Sequence, residues 1–186
     1  DYYSENLIEI LYLWQGGLSF HGGLLGIVTA AIIISKFYKT TFFEISDLIC
    51  VSAPVGIFFG RISNFINGEL FGRPSNFLIG MKFPNADNQY RHPSQLYEAF
   101  LEGLLLFIIL NFLIFKFKKL KNPGIISGVF LMLYGLFRFT VEFTREPDIQ
   151  LGFVYHFFTM GMILSLPMFL AGILILVIKS IKNDTR

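Results

Sequence analysis

Long apolar runs alternate with short polar segments along the chain, and five runs are long enough to be membrane helices: residues 18–35, 45–60, 95–115, 125–143 and 157–178. A helix rises 1.5 Å per residue, so the first of these reaches about 27 Å, close to the thickness of a hydrocarbon core. The pattern predicts an all-α fold, a polytopic membrane helical bundle of about five transmembrane helices within a single integral membrane domain, 1–186. Pro54 interrupts the second run, and Pro167 is expected to kink the fifth. Residues 61–93 are polar and rich in Asn, Gly and Pro, which predicts an outward-facing head segment beyond the hydrocarbon. Residues 1–17 carry Tyr2, Tyr3, Tyr12 and Trp14, side chains suited to a membrane interface.

Composition supports the lipid bilayer as the solvent. With 54% hydrophobic residues and a mean hydropathy of +0.61, the chain is too apolar for an ordinary soluble domain. A net charge of +2 gives nucleic acid no purchase. Three histidines and one cysteine offer neither metal-ligand spacing nor a disulfide framework, so no metal and no cofactor is expected. Cys50 lies inside an apolar run and reads as a small buried hydrophobe. The chain opens at Asp1 without an initiator Met or a basic, signal-like start, and is expected to be part of a longer protein.

The basic residues divide by type. Five crossings put 36–44, 116–124 and 179–186 on one side, and these segments hold eight of the nine lysines, all but Lys82. The positive-inside rule makes that side cytoplasmic. Arg61, Arg73, Arg91, Arg138 and Arg145 fall on the other side, where topology gives them no reason to be. Guanidinium forks match phosphate or carboxylate bidentately, so recognition of an anion would supply the reason.

Two stretches carry the candidate chemistry. Residues 60–73 place Arg61, Asn64, Asn67, Glu69 and Arg73 among Gly60, Gly68 and Gly72, a density of donors and close-approach glycines that exceeds what capping a helix needs. Tyr134, Arg138, Glu142 and Arg145 recur at four, four and three residues and share one helical face about 80° wide. Arg138 and Glu142 could simply neutralise each other, but Arg145 leaves a surplus positive charge that an anionic substrate would meet. His21, between Phe20 and Gly22-Gly23, is either a polar interface anchor or a proton acceptor. Glu98 and Glu102, one turn apart, are either partners for the arginines or a solvated helix cap.

Four motifs, Gly17-Leu18-Ser19-Phe20-His21-Gly22-Gly23, Gly60-Arg61 through Gly72-Arg73, Arg91-His92-Pro93-Ser94-Gln95-Leu96-Tyr97-Glu98, and Tyr134-Gly135-Leu136-Phe137-Arg138 through Asp148, together resemble those of the bacterial prolipoprotein diacylglyceryl transferases. The resemblance extends over nearly the whole chain. It implies a multi-pass enzyme of the bacterial cytoplasmic (inner) membrane with its active face outward. Such an enzyme moves the diacylglyceryl group of phosphatidylglycerol onto the lipobox cysteine thiol of a prolipoprotein. By resemblance His21 and Arg138 are catalytic, and Arg61, Asn64, Gly72 and Tyr134 bind phosphatidylglycerol. Glu142, Arg145 and Glu98 are assigned to supporting them. The family also has further N-terminal membrane helices with a His-x-Tyr pattern, to which nothing in this chain corresponds. The rival reading of the same arginines is a transporter of an organic anion.

Overall fold

The computed structural model describes residues 20–147, 152–155 and 158–184, so the interface aromatics expected at Tyr2, Tyr3, Tyr12 and Trp14 lie outside the described residues, as does Asp148. The chain forms two compact units, Asp1–Ile45 and Ser46–Arg186. Among the described residues the helices are α1 Phe20–Phe37, α2 Phe42–Ile66, α3 Ser94–Phe117, α4 Ile125–Val141 and α5 Met160–Asp184. Three of them are long and apolar enough to cross a membrane, namely α2, α3 and α5 over Met160–Ile181, while Gly22–Phe37 and Ile125–Val141 are apolar but shorter. The only strands among the described residues, β1 Phe153–Tyr155 and β2 Phe158–Thr159, form a small antiparallel pair leading into α5.

Local chemistry sets the helix ends. Thr41 and Glu44 make a capping box at the start of α2: the Thr41 hydroxyl accepts from Glu44 N at 3.3 Å, and Thr41 N donates to Glu44 Oε2 at 2.8 Å. The same helix runs six residues beyond the expected end at 60, because Arg61 and Asn64 find partners inside the protein. It stops in a Schellman motif, with Gly68 at φ +65°, Glu69 N on Asn64 O at 3.0 Å and Gly68 N on Phe65 O at 3.1 Å. Within α3, residues Ala99–Leu105 make a wider π-helical turn flanked by α-helix. Lys118, in the left-handed conformation, ends that helix before the lysine-rich turn. In α5 the helix continues through Pro167.

The start of α4 is held by a carboxylate from another helix. Asp47 of α2 is buried, accepting from Gly124 N through Oδ2 and Ser127 N through Oδ1, each at 2.8 Å, and also from the Ser127 hydroxyl. It satisfies orphan donors and opposes the positive end of the helix dipole. Close by, Leu106, Leu110 and Ile126 form a fully buried apolar cluster between α3 and α4.

Small residues bring α4 and α5 together. A Cβ on Gly135 would stand 2.8 Å from Phe169 N and Ser165 O, and one on Gly128 would press on Leu176 at 3.0 Å. Lipid tails are as apolar as leucine, so helices in a bilayer associate by such close packing rather than by escape from water. Gly103 does the same for α3, where a Cβ would lie 2.7 Å from Phe58 Cβ of α2. This up-and-down arrangement places the end of α2, the starts of α3 and α5 and the end of α4 at one end of the second unit, opposite the Asp47 cap.

Asp47→Ala removes three hydrogen bonds to a buried carboxylate. It should lower stability by about 2–3 kcal/mol, measured as a lower thermal unfolding midpoint in detergent, whereas Asp47→Asn keeps part of the cap and falls between.

Candidate active site

Four segments contribute to one ionic cluster at the arginine end. The last turns of α2 carry Arg61 and Asn64, the first turns of α3 carry Glu98 and Glu102, and α4 carries Tyr134 and Arg138, with Glu142 and Arg145 just beyond it. Glu98 is the centre. Arg61 Nε lies 2.6 Å from Glu98 Oε2, Arg138 Nη1 lies 3.2 Å from the same oxygen, and Arg145 Nη1 donates to Oε1 at 3.2 Å. Neither contact at Oε2 is an aligned hydrogen bond, so charge rather than bond geometry holds that oxygen. Both Glu98 and Glu102 are fully buried, which decides between the two sequence expectations: they are partners for the arginines, not a solvated cap.

Arg138 is surrounded by carboxylates. Its Nη2 pairs with Glu142 Oε2 at 2.9 Å, and its Nη1 stands 3.7 Å from Glu102 Oε1. The pair with Glu142 within one chain segment therefore exists, but it is one edge of a larger network. Three guanidiniums, Arg61, Arg138 and Arg145, face three carboxylates, Glu98, Glu102 and Glu142. The surplus positive charge expected from the α4 stripe alone is met by α3, whose glutamates approach only in the folded bundle. Isolated charges of this kind would be costly, and pairing with near-zero net charge is what makes their burial tolerable.

The cluster is braced at both ends. Arg61 Nη1 reaches Asn64 Oδ1 at 3.4 Å, and Asn64 Nδ2 donates to Glu69 Oε1 at 2.8 Å, so Glu69 orients the amide that faces Arg61. Glu142 Oε1 accepts from the Thr159 hydroxyl at 2.8 Å, and the Thr159 hydroxyl oxygen in turn accepts from Met162 N at 3.3 Å, capping α5. Gly161 lies so close that a Cβ there would stand 2.6 Å from the Glu142 carboxyl. Sequence reasoning missed Thr159 because its partner is seventeen residues away across a turn, with no helical spacing to reveal it. Tyr134 lies one turn from Arg138, with its ring stacked on Phe130 at 5.7 Å.

The head segment is organised by arginines of a different kind. Arg73 Nε donates to Arg145 O at 2.8 Å and Nη2 to Glu142 O at 3.3 Å, covering carbonyls at the end of α4. Arg91 Nη1 bonds Glu146 Oε2 at 2.9 Å and Gly72 O at 3.1 Å, its Nε and Nη2 take Asp87, and its guanidinium lies over Phe71. The Arg91 fork holds the Asp87 carboxyl below the ordinary carboxylate range, and Asp87 in turn raises Arg91. At Gly72, backbone crosses backbone: its N–H donates to His92 O at 2.8 Å, and a Cβ would run into Thr144 O and His92. The geometry therefore gives Gly72 a packing reason.

His21 occupies the first turn of α1, and its side chain lies outside the described residues. Among the candidates, Arg61, Asn64, Glu98, Arg138, Glu142 and Arg145 form one connected network, with Tyr134 beside it and Gly72 in the head.

Comparison with known proteins places these motifs in context. The sequence profile described as prolipoprotein diacylglyceryl transferase matches residues 1–178. The phosphatidylglycerol--prolipoprotein diacylglyceryl transferase of Rickettsia bellii (strain OSU 85-389) is 50% identical over 184 residues, 99% of this chain and 70% of the relative. Those of Rickettsia felis and Rickettsia africae are 53% and 55% identical over 170 residues, 91% of this chain and 66% of each relative. The chain thus spans 66–70% of the length of these relatives. The organic-anion transporter expectation finds no support in these comparisons.

Because Glu98 alone contacts all three guanidiniums, Glu98→Gln leaves buried positive charge uncompensated. It should cost about 3–5 kcal/mol of stability, read from thermal unfolding in detergent, and more than Glu98→Asp.

Proposed function

The chain belongs to the prolipoprotein diacylglyceryl transferase family, and on that premise we propose that it transfers the diacylglyceryl group of phosphatidylglycerol to the lipobox cysteine thiol of a prolipoprotein. The whole chain then serves as one integral membrane domain in the bacterial cytoplasmic membrane. Its arginine end faces outward, a reading supported by the sequence, in which the segments expected on the other side, 36–44, 116–124 and 179–186, hold eight of the nine lysines.

One observation carries the reading at the level of chemistry: two guanidiniums from different helices, Arg61 and Arg138, converge on a single buried carboxylate oxygen. Their forks are thereby held rigidly within reach of one another. Arg61 is the more exposed of the two at 22%, and its Nη2 makes no hydrogen bond among the described residues, which leaves a donor for a phosphate oxygen. Pre-positioned donors of this kind stabilise charge as it develops on a leaving phosphate without reorganising at the moment of reaction. Asn64, fixed by Glu69, adds a hydrogen-bonding group beside them.

In the reaction the thiol sulfur attacks the glycerol carbon that bears the phosphate. The C–O bond to phosphate breaks, a C–S thioether bond forms, and glycerol phosphate departs with the bonding electrons. The thiol proton must go to a base. A cysteine thiol with an ordinary pKa near 8.5 is only about 3% ionised at pH 7, so base assistance matters. His21 is assigned that role through the family resemblance. Tyr134, one turn from Arg138, is assigned to the lipid through the same resemblance, while Glu142 holds Arg138 directly and Arg145 supports it through the shared Glu98.

The test is turnover of phosphatidylglycerol with a lipobox peptide, measured on this chain and on a version extended at its N-terminus. Arg61→Lys keeps the charge but loses the fork, and should abolish lipid binding or turnover; retention of both would exclude bidentate recognition at Arg61. His21→Gln should slow the reaction by about 10²–10⁴, and near wild-type turnover would remove His21 from the proton step.

A further inference from the structure

The head segment carries an apolar tip that the ionic cluster does not explain. Leu78 is 100% exposed, and its neighbours Phe77 and Ile79 are 64% and 47% exposed. The tip is firmly held: Gly80 N donates to Phe77 O at 2.8 Å, and Phe77 N donates to the Ser75 hydroxyl at 3.0 Å. On either side of it, Ser75 N bonds Tyr90 O, and Met81 and Arg91 exchange both backbone hydrogen bonds at 2.9 Å. An ordered turn that presents three successive large apolar side chains leaves them exposed unless a further apolar phase receives them.

We propose that the Phe77–Leu78–Ile79 tip dips into the lipid leaflet on the arginine side of the membrane, with Lys82 seated among anionic headgroups. The helices of the second unit set the level of that leaflet. Exposed apolar side chains continue to their arginine ends, at Ile66 on α2, Phe100 on α3 and Phe143 just past α4. The tip is tied by a short path to the start of α3. Arg91 is three residues from Ser94, where α3 begins, and the Met81–Arg91 pair adds only about 5.5 Å, with Leu78 three residues further along.

The rim of the tip suits headgroups. Lys82 Nζ lies 5.3 Å over the ring of exposed Tyr90, pairing a cation with an amphipathic aromatic as at membrane interfaces. Lys82 makes no ion pair among the described residues, while nearby Asp87 is committed to Arg91. Lys82, the one lysine outside the three lysine-bearing segments expected on the cytoplasmic side, is thereby available to an anionic lipid. This inference needs only that the helices cross a membrane, whichever reaction the cluster performs.

The experiment uses the whole chain reconstituted in phosphatidylglycerol-containing vesicles, comparing Leu78→Trp with Asn88→Trp, an exposed head position outside the Phe77–Leu78–Ile79 tip. Trp14, the sole native tryptophan, is common to both. Lipids brominated near the top of the acyl chain should quench the Leu78→Trp protein at least about twofold more deeply than the Asn88→Trp protein. Quenching should deepen with phosphatidylglycerol content, and Lys82→Gln should remove that dependence. Equal quenching at the two positions overturns the proposal. So does Leu78→Trp emission that shifts only when a lipobox peptide is added, which would make the tip a peptide-docking surface.

Discussion

Glu98 is the side chain on which the arginine end of the second unit depends. Its two oxygens meet guanidiniums from α2, from α4 and from the segment just after α4, so one buried carboxylate ties three parts of the chain to α3. In a medium without water, a charge is tolerated only beside its opposite. Arg61, Arg138 and Arg145 can therefore occupy this end of the bundle because Glu98, Glu102 and Glu142 are there with them. The same pairing lets α2 continue past Arg61 and end instead at Gly68.

The rest of the scaffold holds that cluster still. Close packing of α4 against α5 through Gly128, Gly135 and Gly172 keeps Arg138 and Glu142 beside the start of α5, where Thr159 bonds Glu142. At the opposite end, Asp47 locks the first turn of α4 to α2. In the head, Arg73 and Arg91 are spent on carbonyls and carboxylates of the scaffold, which separates them from Arg61 and Arg138 despite the shared residue type. Arginine at this end thus falls into two groups, Arg73 and Arg91 bracing the head and Arg61, Arg138 and Arg145 gathered on Glu98.

Much of this was legible in advance because it repeats along the chain. Apolar runs of membrane length located α1 to α5 to within several residues, since hydrocarbon thickness imposes a length on any helix that crosses it. The Tyr134–Arg138–Glu142–Arg145 stripe was visible from helical spacing, and the family from four motifs in order. Less legible was where α2 stops. An arginine after an apolar run looks like the beginning of a loop, and only Glu98, 37 residues further along, makes it part of the helix.

Local composition, period and motif were enough for the class of the protein, the approximate places of its helices, its family and most of the candidate side chains, because each of these is written along a short stretch of chain. Tertiary structure decided what those side chains do to one another. Glu98 and Glu102 proved to be buried partners rather than a cap, and the surplus charge read from α4 was balanced from α3. Gly72 proved to sit where backbone segments cross. Charge balance and close approach are properties of residues far apart in the chain, and no reading along one dimension contains them.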